Sequence, residues 1–190
     1  MTSHTPQPAG ARLPTAAEVL RFWHDAGPGR WFRKDEEFDR EFRDGFLGAH
    51  EAAARGELDH WEEDAHGALA LLVLLDQFPR NAFRGQVRTY ATDDQARAIA
   101  LRSIEAGFDR AVPDVLRRFF YLPLMHSERP EDHDRAVELS AALGDDTLRW
   151  AQHHRDVLRR FGRFPHRNAL LGRRSTPEEL RFLAEGGFEG

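Results

Sequence analysis

The chain has 190 residues, 41% hydrophobic and 31% charged, a balance that predicts one globular domain with a single core and excludes an intrinsically disordered chain. It contains no cysteine, which removes disulfides, thiolate nucleophiles and cysteine-ligated metals, and a formal net charge of -5 argues against a nucleic-acid binder. No apolar run approaches the roughly 20 residues of a membrane span, and the first dozen residues lack a signal peptide's basic start and apolar stretch. The expectation is a cytoplasmic protein without membrane contact, with residues 1–13 as a flexible tail and 14–190 as a single all-helical domain.

Taken in order, Thr15-Ala16-Ala17-Glu18 reads as a capping box, and Val19, Leu20, Phe22 and Trp23 follow as the first buried stripe. Gly27-Pro28-Gly29 breaks that helix. Trp31-Phe32 opens a segment in which Phe38, Phe42 and Phe46 recur every fourth residue, the mark of one helix face, and Gly56 ends it. A third helix is predicted from Trp61 to Gln77; its stretch ALALLVLLDQF is apolar nearly all round, which predicts a central position. The chain then loops through Phe78-Pro79-Arg80-Asn81 and Gly85 to Tyr90-Ala91.

Thr92-Asp93-Asp94-Gln95 predicts the cap of a fourth helix, carried by Ala96, Ile99, Ala100 and Ile104 and ended near Gly107. Pro113 starts a short fifth helix through Phe120, and Pro123 is expected to force Leu122 out of the helical region, leaving His126 and Glu128 on extended chain. A sixth helix runs from Pro130 to Gly144. Asp145 or Asp146 caps a seventh, with Leu148, Ala151, Val157, Leu158 and Phe161 toward the core. Thr176-Pro177-Glu178-Glu179 starts the last. No segment alternates apolar and polar with β-branched residues, so no sheet is expected. The fold class is all-α: about eight antiparallel helices, as a bundle or a short stack of hairpins.

The most unusual stretch is Arg159 to Arg174, RRFGRFPHRNALLGRR, with six arginines and no acidic residue from Val157 through Pro177. An echo lies upstream, where Phe78-Pro79-Arg80-Asn81 resembles Phe164-Pro165-His166-Arg167-Asn168. Because 26 of the 27 basic residues are arginine, with Lys34 the exception, arginine identity alone carries little weight and the company it keeps decides. Three polar clusters end apolar helices: Asp76-Gln77 with Arg80-Asn81, His126-Ser127-Glu128, and Arg163, His166, Arg167 and Asn168.

Two readings follow. In one, Asp76 and Glu128 pair with Arg80 and Arg167 and staple helix ends, since buried charges need partners. In the other, the clusters line a pocket in which Asp76, Gln77, Arg80, Asn81, Arg163, Arg167 and Asn168 hold a small anion, while His126, Glu128 and His166 move protons. His126 with Glu128 and a further histidine is a weak pattern for a metal; no HExxH motif appears, so no metal is assigned. Walker, glycine-rich phosphate and GxSxG patterns are absent, and the cofactor is left unknown. The expected partner is a small anionic molecule or a carboxylate-bearing peptide; the alternative function is a helical-repeat-like scaffold for a peptide or protein.

The stretches VLRFW at 19–23, WFRKDEEFD at 31–39, LALLVLLDQFPRNAFRG at 69–85, ATDDQA at 91–96, FFYLPLMHSE at 119–128 and RFGRFPHRNALLGR at 160–173 resemble the bacterial family catalogued as domain of unknown function 924. That resemblance implies an all-α, tetratricopeptide-like fold of antiparallel helical hairpins. It implies no established reaction, and it suggests that the three polar clusters belong together, because they make up much of the likeness.

Overall fold

In the computed structural model, residues 12–187 are described. The expected tail over 1–13 lies outside that range as far as residue 11, while Arg12 is ion-paired with Glu18 at 2.7 Å. All the regular secondary structure of the described residues is helical, with no strand among them. The helices are α1 (Ala16–Ala26), α2 (Pro28–Trp31), α3 (Glu36–Ala54), α4 (Ala65–Leu72), α5 (Phe78–Ala82), α6 (Asp93–Glu105), α7 (Asp114–His126), α8 (Pro130–Ser140), α9 (Asp145–Phe161) and α10 (Pro177–Ala184). A π-helical turn, Val73–Gln77, joins α4 to α5 as one continuous rod. No helix among the described residues is long and apolar enough to cross a membrane.

The rod is the axis of the fold. Every residue from Gly67 to Pro79 is buried, as its unbroken apolar run dictates, and α1, α3, α6 and α7 pack around it. From α6 onward each helix packs on the next through α9, the arrangement of helical hairpins. Gly67 is needed for contact: a Cβ there would run into the carbonyl of Trp61, in the 3-10 turn Asp59–Glu63 that crosses α4. The predicted third helix therefore starts later than Trp61, at Ala65, with Asp64 as its cap.

Against the rod the aromatic period predicted for α3 packs as expected. Phe22 lies against Phe38, Phe42 and Phe46 with ring centres 5.3, 5.2 and 5.0 Å away. Trp23 meets Trp31, Phe42 and Phe119, and Phe42 meets Phe78 of the rod edge-on at 5.0 Å. Such pairs add about 0.5–1.5 kcal/mol each beyond the area they bury.

Two proline positions depart from expectation. Phe78-Pro79-Arg80-Asn81 is not a loop: the helix continues through it to Ala82. Proline removes an N–H and crowds the carbonyl four residues back, here Leu75, which usually ends a helix. The π turn relieves the crowding, with Phe78 N–H bonded to the Val73 carbonyl. The released carbonyls find other donors, Leu74 from His50 Nδ1 at 2.9 Å and Leu75 from Thr92 Oγ1 at 2.5 Å. For that reason Thr92 makes no side-chain cap on α6, contrary to the sequence reading.

Pro123 likewise sits inside α7, which runs on to His126 instead of stopping at Phe120. Only one turn lies beyond it, and Leu124 and Met125 are buried, so packing holds that turn against the backbone preference. His126 thus ends a helix and does not lie on extended chain. At α9, Gly144 occupies the cap position and Asp145 is the first helical residue.

Candidate functional site

The π turn does more than pass Pro79. It carries Asp76 and Gln77 at the end of the apolar rod, both buried, and π turns recur at functional sites. Asp76 Oδ1 lies 2.7 Å from His126 Nδ1 at the end of α7. Gln77 Nε2 donates to the other carboxylate oxygen at 2.6 Å, and Arg80 Nη1 approaches Oδ1 at 3.2 Å. Burial alone would push the Asp76 carboxyl up; the Arg80 guanidinium, His126 and the Gln77 hydrogen bond outweigh it and keep Asp76 ionised.

His126 is pushed the other way. Burial and the nearby Arg80 charge hold its pKa below the ordinary histidine value, so the ring is neutral at pH 7. An ionised Asp76 only accepts, which places the single ring proton on Nδ1 and leaves Nε2 as a lone-pair acceptor. Nε2 meets no hydrogen-bond partner among the described residues, and the side chain is 13% exposed.

The two arginine motifs do meet here. Asp93, the first residue of α6, takes Arg80 through both oxygens at 2.9 and 3.1 Å and Arg167 Nη1 at 3.1 Å. Arg167 Nη2 also donates to the His126 carbonyl at 2.9 Å, satisfying an orphan acceptor at the end of α7. Its guanidinium is held between the rings of Tyr90 and Phe164, 4.6 and 4.7 Å from their centres. Arg167 Nε is buried without a partner among the described residues. Burial pushes the Tyr90 hydroxyl up, against the opposing charges of Arg167 and Arg80.

The remaining predicted residues form a second network beside the first. Glu128 accepts Phe164 N–H at 2.8 Å and a two-pronged pair from Arg173 at 2.5 and 2.9 Å. Arg173 Nε holds Asn168 Oδ1 at 3.0 Å, and Asn168 Nδ2 reaches Ser175 at 3.0 Å and Glu179 at 3.3 Å. Arg163 grips Glu179 at 2.7 and 2.9 Å, and those bonds hold the Glu179 carboxyl at about 2 despite its burial. Glu179 closes the α10 capping box as well. His166 lies against Phe164 with ring centres 5.7 Å apart, and burial, then Arg167, pushes it down to about 3.

Asn81 does not join either network. It donates to Asp39 of α3 at 2.7 Å, alongside Arg84 on the same carboxylate. Conversely, Asp93, Tyr90, Arg173 and Glu179 belong to the corner although the sequence reading did not place them there, and so do two buried histidines. His133 Nε2 is 2.6 Å from the Ser127 carbonyl, and the His154 ring lies 6.0 Å from that of His126. The DD pair and the RR pair were visible as charge; nothing in their spacing tied them to Arg80 or Glu128.

Two surface hollows lie elsewhere. One of about 480 Å³ is lined by Arg174, Ser175, Thr176, Pro177 and Leu180, next to the second network. Another of about 250 Å³ is lined by Arg12, Pro14, Glu18 and Phe46. Among the described residues no group of three or more His, Asp or Glu side chains is arranged to hold a metal ion.

The profile of the family described as bacterial protein of unknown function (DUF924) matches residues 19–187. The chain belongs to the DUF924 family. A solved structure of a protein of unknown function from Agrobacterium tumefaciens is similar throughout, with 53% identity and a TM-score of 0.88 over 90% of this chain and 97% of that one. No curated protein matches. Every motif that ends in the DUF924 corner, from Leu75-Asp76-Gln77 to Arg173, falls within the matched residues.

Proposed function

We propose that this DUF924 protein binds a small anionic molecule at the corner formed by Asp76, Arg80, His126 and Arg167, with His126 Nε2 as the group that exchanges a proton with it. The observation that carries the reading is the Asp76–His126 contact: a buried carboxylate fixes the tautomer of a neutral imidazole, whose second nitrogen meets no hydrogen-bond partner among the described residues. A carboxylate-oriented histidine of this kind suits a general base or a hydrogen-bond acceptor. Arg80 and Arg167 bring guanidinium groups to the corner, and Arg167 Nε, without a partner among the described residues, supplies a donor. Gln77 serves Asp76, and Asn81, pointing to Asp39, is left out of the proposal.

The test is thermal stability in the presence of small carboxylates and inorganic phosphate at constant ionic strength. A ligand at 100 times its Kd stabilises by about 2.7 kcal/mol. The reading expects an upward shift in melting temperature for the wild type that is lost in His126→Gln, whose amide can still donate to Asp76.

A second reading is favoured by one observation: Arg80, Arg163, Arg167 and Arg173 each already meet a carboxylate. On that reading the corner is a set of staples joining the C-terminal turn to α6 and α7. It expects no anion to shift the melting temperature, and a large loss of stability in Arg167→Ala, because Asp93 keeps Arg80 but the His126 carbonyl is left bare.

A further inference from the structure

The charges around His126 are in balance before any ligand enters. The rod presents Asp76 and Arg80, α6 presents Asp93, and the C-terminal turn presents Arg167: two guanidinium groups against two carboxylates. The neighbouring groups do not tip that balance. Arg173 is closed on Glu128, and His154 from α9, His133 from α8 and His166 are all held below the ordinary histidine value by burial and are neutral at pH 7. Tyr90 is raised by burial and keeps its proton.

An anion added to a balanced, largely buried cluster leaves one uncompensated negative charge, and uncompensated buried charge is strongly unfavourable. Two routes restore balance. The anion displaces the Asp93 carboxylate from Arg80 and Arg167, or it brings a proton. Asp93 is tied by three hydrogen bonds to two arginines, one of them clamped between two rings, whereas His126 Nε2 is an unused base already joined to Asp76.

Resting on the binding reading above, we infer that the anion is a small monoanionic carboxylate that binds together with one proton, which His126 Nε2 takes up. The resulting imidazolium donates from both nitrogens, Nδ1–H to Asp76 and Nε2–H to the ligand carboxylate, so both hydrogen bonds become charge-assisted. The atoms balance: one proton leaves solvent and one N–H bond forms. Because burial and Arg80 keep the free ring neutral near pH 7, that proton is drawn from solvent on binding. Affinity then falls about tenfold for each pH unit above the histidine's pKa in the free protein.

The experiment follows the ring nitrogens of His126 by NMR in the full chain, with histidine labelled in ¹⁵N, as sodium acetate is added at pH 7 against sodium chloride at equal ionic strength; His126→Gln assigns the signal. The inference expects acetate to convert His126 from the neutral Nδ1–H form to imidazolium and to raise its apparent pKa by a unit or more. If acetate perturbs the resonances of the corner while His126 stays neutral, proton uptake is wrong and the binding reading stands. If acetate leaves the corner unperturbed, both are wrong.

Discussion

Two sets of contacts on the buried rod are held by different forces. Around Phe22 and Trp23 a set of aromatic rings from α1, α2, α3 and α7 packs together, with the Arg30 guanidinium 4.9 Å from the Phe38 ring centre, each contact weak and tolerant of direction. Around Asp93 and Glu179, three arginine partners are tied through bonds of 2.7 to 3.1 Å that lose most of their value if one member is absent. Asp93 serves Arg80 and Arg167, Glu179 serves Arg163, and Arg173 on Glu128 completes the set. The aromatic set degrades gradually as rings are trimmed; the ionic network responds to a single deletion as a unit.

That contrast is sharpened first by the largest deletions. Trp23→Ala removes a fully buried ring and is expected to cost about 3–5 kcal/mol, read as a lower denaturant midpoint with an unchanged slope. Asp76→Ala is expected to cost about 3 kcal/mol, because Arg80 and His126 lose their buried partner; a cost under about 1 kcal/mol would mean the corner is wet and loosely held. Phe46→Leu, at the partly covered rim of the aromatic set, should stay below about 1.5 kcal/mol, the smallest of these.

Acid probes the ionic network through its buried histidines. His154 and His166 are held near 3 by burial, against about 6.5 in the unfolded chain, so below pH 6.5 the unfolded chain binds more protons than the folded one. Their contribution to stability is complete above about pH 6.5 and is lost as pH falls toward about 3, at about 1.4 kcal/mol per pH unit for each ring. The stability contributed by carboxylates such as Glu179, held at about 2, is complete above their ordinary value near 4.3 and is lost only as pH falls below it. Urea melts between pH 7 and 5 should therefore already show declining stability, and a flat profile over that interval would contradict the burial of these rings.

How much of this was legible in the letters follows the same division. The aromatic period of Phe38, Phe42 and Phe46, the capping boxes at Thr15 and Thr176, and the central apolar run are local patterns, and each forms the element it predicts. What joins the corner is long-range. Arg80 reaches Asp93 across 13 positions, Arg173 reaches Glu128 across 45, and Arg167 reaches Asp93 across 74; no spacing rule connects them. The six-arginine stretch carries no acidic residue of its own because its counter-charges lie outside it, on α6, after α7 and on α10. Both prolines misled for one reason: local preference ends a helix at Pro79 and Pro123, while His50, Thr92 and buried neighbours keep it going. That continuation is what brings Asp76 and His126 within 2.7 Å.

Everything proposed for the corner depends on the state of one imidazole, and ¹⁵N NMR of His126 in the free protein at pH 7 reads it directly. The account predicts a neutral ring protonated on Nδ1, flipping to the Nε2–H form in Asp76→Asn, whose amide can donate to Nδ1. An imidazolium, or an Nε2–H ring in the wild type, would contradict it.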